Sequence, residues 1–205
     1  MIRKTVLVAI ALSVMLCAQV QAAKVSEDIV KETIIKQSLE MNVDPALALS
    51  IAKKESGFRH ELRSPHGAVG VFQLLPSTAR RLGYNPYYLS DNIKAGLTYY
   101  KMMYKMFGST ELALAAYNAG PGNVRRAGGK IPPYAETKRF VNVIMQDYNH
   151  QKKNPDPAIA RVKSQTPVKL PENETNMMKA PKDFEFPCLN EIPEFKNSDP
   201  VMEIL

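Results

Sequence analysis

A chain of 205 residues, 45% of them hydrophobic, has material for one apolar core plus extensions. With two cysteines and no tryptophan, it cannot be a disulfide-dense scaffold. Its net charge of +7 excludes an acidic, solvating chain.

The amino terminus reads as a leader. Arg3 and Lys4 precede an apolar run over residues 5–18, and small residues at Ala22 and Ala23 offer a cleavage site. Residues 1–23 are expected to be a secretory signal peptide; an uncleaved membrane anchor is the alternative. Cys17 does not make a lipoprotein signal, because bulky Leu16 stands directly before it. No later stretch is apolar for long enough to span a bilayer, so no stable membrane span should remain after cleavage. The exported chain keeps only Cys188 and forms no internal disulfide. Its expected place is the periplasm or the medium.

Five helices are predicted in chain order. Ser26 before Glu27 and Asp28 starts the first, with Val30, Ile34 and Ile35 on one stripe. Asp44-Pro45 is a stronger start, an N-cap with proline in the first turn, for a helix running to about Lys54. Asp91 or Asn92 starts a third, which Gly108 ends, and Ser109 caps a short fourth. Phe140, Ile144 and Tyr148, with Val141 and Met145, recur at four-residue steps in the fifth. Residues 59–73, punctuated by Gly67 and Gly70, suit a loop or a short strand.

All ten glycines lie between Gly57 and Gly129, whereas eight of the fifteen prolines follow residue 150. That shift sets an expected boundary near 150, with residues 24–150 folded and 151–205 an extended or disordered proline-rich tail. Charge divides the same way. Residues 24–150 carry 17 Lys/Arg against 11 Asp/Glu, net +6, and residues 151–205 carry 8 against 9. In an exported chain a basic domain suits an anionic polymer of the cell envelope better than nucleic acid; a mildly basic surface without a role fits the charge equally.

Glu55 holds the chemistry. On the helix from Pro45 it shares a face with Ala48, Ile51 and Ala52, away from the Lys53-Lys54 side. Burial disfavours a charged carboxylate, and a carboxyl kept protonated near neutral pH is what a general acid requires. The same spacing also describes an amphipathic-edge residue. Three further segments bear on the choice. Residues 64–79, "SPHGAVGVFQLLPSTA", are glycine-spaced around Gln73; "AYNAGPGNV" at 116–124 puts Tyr117 and Asn118 before a turn; "IPPYAETKRFV" at 131–141 puts Tyr134 and Glu136 before a helix. Rings and amides on turns grip sugars, although any one of the three taken alone reads better as an ordinary turn with a packed aromatic.

Together and in order, "ESGF" (55–58), "SPHGAVGVFQLLPSTA", "AYNAGPG" and "ETKRFV" (136–141) resemble the catalytic domain of soluble-type lytic transglycosylases over roughly residues 28–150. The resemblance implies a mainly α, goose-type lysozyme-like domain with a catalytic cleft. It implies cleavage of the MurNAc-GlcNAc bond of peptidoglycan, with Glu55 as acid and then base, leaving 1,6-anhydro-MurNAc ends. Ser64 and Gln73 would bind the sugar near the scissile bond. Tyr117 would hydrogen-bond toward Glu55, Asn118 would shape its loop and Glu136 would line the cleft. Phe72 stands where the family usually has Met, and Phe140 where it usually has Tyr. No cofactor or metal is implied, and His60, His66 and His150 show no ligand spacing. The expected partners are peptidoglycan glycan strands and an envelope-spanning secretion, conjugation or flagellar apparatus. Two other readings stay open: a hydrolytic lysozyme, and a glycan-binding module or assembly factor in which cleavage is secondary.

Overall fold

The computed structural model describes residues 25–165. Eight helices follow one another: α1 (Glu27–Glu40), α2 (Pro45–Ser56), α3 (Pro76–Arg81), α4 (Leu89–Phe107), α5 (Thr110–Ala119), α6 (Pro121–Arg126), α7 (Ala135–Lys153) and α8 (Pro157–Gln165). Among the described residues there is no strand, only the isolated bridges Arg63 to Val69 and Val69 to Leu74. Residues 59–73 are therefore a loop folded back on itself. The domain is mainly α, as expected. No helix of the described residues is long and apolar enough to cross a membrane.

α2 is the central helix. Asp44 caps it, its carboxylate accepting from the Ala46 N–H at 2.9 Å, and Pro45 opens its first turn. Ala46 to Ala52 are all buried, with α1 and α7 packed along its length. Two polar ties hold α7 down. Ser50 Oγ donates to Asp147 Oδ2 at 2.8 Å, and Tyr148 donates to Asp44 Oδ2 at 2.9 Å. α2 stops where Gly57 takes a left-handed φ of +58°, so Glu55 lies in its last turn.

The second half of the core is α4 with α5, joined through Gly108 at φ +73° and the Ser109 cap. α4 starts at Leu89, earlier than the expected Asp91 or Asn92. Neither side chain caps the helix, because each is engaged elsewhere. Asp91 accepts from the Asn85 N–H, and buried Asn92 reaches across to the 62–75 loop. Against that loop α4 carries Gly96, where a Cβ would lie 2.3 Å from the Phe72 ring. No side chain larger than hydrogen fits this crossing.

The boundary expected near 150 requires correction. α7 runs to Lys153, and α8 packs on α1 with Ala158, Ile159 and Val162 buried. Asp156 caps α8 by accepting from the Ala158 N–H at 2.9 Å, and Pro157 opens its first turn. Lys31 pairs with Asp156 at 3.2 Å and Arg161 with Asp28 at 3.6 Å, so α8 runs antiparallel to α1. Residues 151–153 and 157–165 are thus helical, against the extended tail expected; the rest of that tail and the leader lie outside the described residues. Burying Ile159 and Val162 should add about 1.5–3 kcal/mol each before helix ordering is counted. A chain of residues 25–165 should accordingly melt about 5 °C or more above one of residues 25–150 in a thermal scan followed by circular dichroism.

Candidate active site

The site forms where the end of α2 meets the 62–75 loop and the end of α5. A pocket of about 30 Å³ is lined by Glu55, Gln73, Leu74, Leu75, Thr78, Tyr99, Tyr117 and Gly120. Its shape depends on how the loop is pinned. Asn92 Nδ2 donates to the Val69 carbonyl at 2.9 Å and to that of Pro86 at 3.2 Å, while its Oδ1 accepts from the Phe72 N–H at 3.0 Å. Gly70, at φ +78°, passes so close that a Cβ would stand 2.4 Å from the Asn92 nitrogen. Ser56, buried beside Glu55, donates to the Val71 carbonyl at 2.9 Å. The loop is tied to both helices that frame the carboxyl.

Glu55 is half-buried, packed about by protein but open to the pocket. Burial pushes its carboxyl up to about 8; the Lys54 ammonium pulls it down and the Glu136 carboxylate pushes it further up. It is therefore protonated at neutral pH. Lys54 Nζ lies 5.4 Å from the centre of the Phe140 ring. Among the described residues no other carboxylate lines the pocket, and Glu136, in the first turn of α7, is exposed. None of the described residues form a group of three or more His, Cys, Asp or Glu able to hold a metal ion.

Gln73 is buried and sits at φ +45°, a conformation costing a non-glycine residue about 1–3 kcal/mol. Its amide explains why the conformation holds. Nε2 donates to the Gly70 carbonyl at 2.8 Å and the Leu62 carbonyl at 3.3 Å. Both partners are acceptors, which fixes the nitrogen toward the loop and leaves Oε1 as the atom for a ligand donor. Gln73 thus offers the pocket an acceptor beside the Glu55 donor.

Tyr117 departs from expectation. Its hydroxyl donates to the Phe72 backbone carbonyl at 2.7 Å, although its ring lines the pocket with Glu55. Burial, then the nearby Glu55 and Tyr99, hold its hydroxyl well above the usual phenol range, so it stays a neutral donor. Asn118 also faces inward: its Oδ1 accepts from Thr137 Oγ1 at 2.7 Å, joining α5 to α7. Ser64 is half-buried and serves the loop, its Oγ accepting from the Ala68 N–H at 3.0 Å; it is not among the residues lining the pocket. Phe72 directs its ring to Gly96 and its carbonyl to Tyr117. Sequence reasoning missed Tyr99, which packs edge-on to Tyr117 at 5.2 Å. Its position two residues after buried Leu97 carried no distinguishing signal. Of the expected site residues, the pocket brings together Glu55, Gln73 and Tyr117, with Glu136 near enough to act on Glu55 through its charge.

Fold and site together define a helical, lysozyme-like domain built round one half-buried carboxyl. The family model of the transglycosylase SLT domain matches residues 32–139, just over half of the 205 residues, and the chain belongs to that family. The soluble lytic murein transglycosylase of Escherichia coli strain K12 is 35% identical over 130 residues, covering 51% of this chain and 20% of that protein. The transglycosylase of Enterobacteria phage PRD1 is 30% identical over 138 residues, covering 67% of this chain and 49% of that protein. The crystal structure of the 70 kDa soluble lytic transglycosylase from Escherichia coli aligns with a TM-score of 0.52 at 27% identity, covering 62% of this chain and 25% of that one. The chain therefore spans about a fifth of the length of the Escherichia coli relative and about half that of the phage relative.

Removing the Tyr117 hydroxyl tests the loop tie. Tyr117→Phe leaves the buried Phe72 carbonyl without its donor and should cost about 1–3 kcal/mol in urea unfolding.

Proposed function

We propose that this domain cleaves the glycan strands of peptidoglycan as a lytic transglycosylase, at the MurNAc-GlcNAc bond, leaving 1,6-anhydro-MurNAc ends. The observation that carries the proposal is the Glu55 carboxyl, half-buried in the pocket and, among the described residues, without a second carboxylate in the lining; burial pushes it up to about 8. Membership of the transglycosylase SLT domain family supports the reaction class, and so do relatives named murein transglycosylases.

The chemistry follows from having one carboxyl. Glu55 donates its proton to the glycosidic oxygen, and the C1–O bond breaks with its electron pair going to the leaving sugar. Glu55, now a carboxylate, takes the proton of the MurNAc C6 hydroxyl, whose oxygen closes on C1. The acid is regenerated and no water is consumed. A hydrolase of the usual two-carboxylate kind would need a second carboxylate to serve water or C1. The Gln73 carbonyl oxygen is placed to accept from a substrate N–H or O–H, and the neutral Tyr117 ring walls the carboxyl from solvent. In this proposal residues 1–23 act as a cleaved leader, so the domain meets its substrate outside the cytoplasmic membrane.

Glu55→Gln should abolish release of products from purified sacculi while leaving the melting temperature and sacculus binding unchanged. General acid–base catalysis alone is worth about 10²–10⁴-fold, and here one group serves both proton transfers. Mass spectrometry of the wild-type products should show anhydro ends. Reducing ends would make the enzyme a hydrolase, and activity in the Gln variant would remove Glu55 from the mechanism.

The pH profile gives a second measure. The first step needs protonated Glu55, so kcat/KM should hold through neutral pH and fall as pH rises through about 8. Glu136→Gln removes a negative charge that raises the Glu55 value, and should move this alkaline limb to lower pH. An unmoved limb would show that Glu136 does not act on the carboxyl.

A further inference from the structure

The positive charge of the domain is concentrated in one stretch of the chain. Residues 121–140 carry five cations, Arg125, Arg126, Lys130, Lys138 and Arg139, against the single acid Glu136, net +4 of the +6 over residues 24–150. Residues 24–120 hold 12 cations against 9 acids, net +3 spread over a stretch almost five times as long, and residues 141–150 carry only Asp147. All five cations are exposed. Among the described residues, Arg125, Lys130, Lys138 and Arg139 have no carboxylate within ion-pair distance; the pairs formed by Lys31, Lys53, Lys152 and Arg161 lie elsewhere. Each unpaired cation keeps its full field toward solvent, and their common sign costs the fold some repulsion.

This stretch is built, and it adjoins the pocket. α6 follows directly on Gly120, a pocket-lining residue. Asn123 fastens it to the start of α7: its Nδ2 donates to the Ala119 carbonyl at 2.7 Å, and its Oδ1 accepts from Arg126 Nη2 at 2.6 Å and from the Tyr134 hydroxyl at 3.1 Å. The Tyr134 ring stays half exposed at 47%, beside the guanidinium so oriented. An exposed ring, an oriented guanidinium and further exposed cations along the stretch that follows Gly120 make a surface suited to an anionic, partly apolar chain rather than to a neutral sugar.

We propose that α6, the 127–134 turn and the first turn of α7 form a carboxylate-binding rim. It would hold the free carboxylates of the substrate strand next to the cleavage pocket, above all those of the stem peptides. This rests on the peptidoglycan reading of the pocket and adds to it: the strand would be recognised by its peptide charge as well as by its sugars.

The test separates the two readings by measuring binding in the Glu55→Gln protein, where cleavage plays no part. Arg125→Gln, Lys130→Gln and Lys138→Gln are combined in that background, none of them a pocket residue. Co-sedimentation is measured with native sacculi, with sacculi whose carboxyl groups have been converted to amides, and with glycan strands stripped of stem peptides, which keep only the lactyl carboxylate. The triple variant should bind native sacculi about tenfold more weakly, as expected for three partly screened charge contacts. The difference should vanish on amidated sacculi. Vanishing on stripped strands too assigns the rim to stem peptides; persistence there shows that the rim also takes the lactyl carboxylate, which stripping sets free. Equal binding of triple variant and parent to native sacculi overturns the rim, as does an undiminished difference on amidated sacculi. Neither outcome touches the cleavage reading, which is tested separately by product release from the wild-type and Glu55→Gln proteins.

Discussion

One buried amide organises the floor of this site. Asn92 gives both its hydrogens and its oxygen to the backbone around it, binding Val69, Pro86 and Phe72. The 62–75 loop has no strand partner of its own, so a side chain from α4 supplies the pairing that a sheet would otherwise provide. Once Phe72 is fixed, its carbonyl takes the Tyr117 hydroxyl and its ring fills the space left by Gly96. Once Gly70 is fixed, its carbonyl takes the Gln73 amide. The wall facing Glu55 is the far end of this chain of ties. A change at Asn92 would reach the carboxyl without touching substrate.

The carboxyl itself depends on a balance between desolvation and charge. Burial does most to raise Glu55, Lys54 opposes the rise and Glu136 adds to it. Lys54 rests over the Phe140 ring, so its ammonium stands to one side of the pocket rather than inside it. A direct ion pair with Lys54 would hold Glu55 ionised and unable to donate. A tyrosine at position 140 would add a hydroxyl near that ammonium. Phenylalanine leaves the cation to the ring face alone.

Local signals in the sequence gave most of the helices, and the site residues emerged where several signals coincided. Asp44-Pro45 announced α2, and the stripe through Ala48, Ile51 and Ala52 placed Glu55 on the buried face. What local patterns could not give was side-chain traffic between distant segments. Asn92 read as a helix cap because Asn commonly is one; its use by the loop twenty residues earlier leaves no mark nearby. Tyr117 likewise serves a backbone carbonyl 45 residues away. α8 was missed for another reason. Asp156-Pro157 is the same start signal as Asp44-Pro45, but the prolines that follow residue 150 outweighed it. Ile159 and Val162, three residues apart, were the pattern that should have prevailed.

The antiparallel packing of α8 on α1 has a consequence for how such a domain is carried. The ion pairs Lys31–Asp156 and Arg161–Asp28 bring the last described helix back alongside the first. Entry and exit of the described chain therefore fall together at one pole. A unit whose ends meet can be spliced into a longer polypeptide at a single point, needing no bridge across its body. The Escherichia coli relative, of which this chain covers 20%, shows how much other polypeptide can accompany a region of this kind. The joint would rest on a helix pair, α1 with α8, that contributes no residue to the lining of the cleft. Whatever is attached there can vary in sequence and size while the cleft keeps its shape.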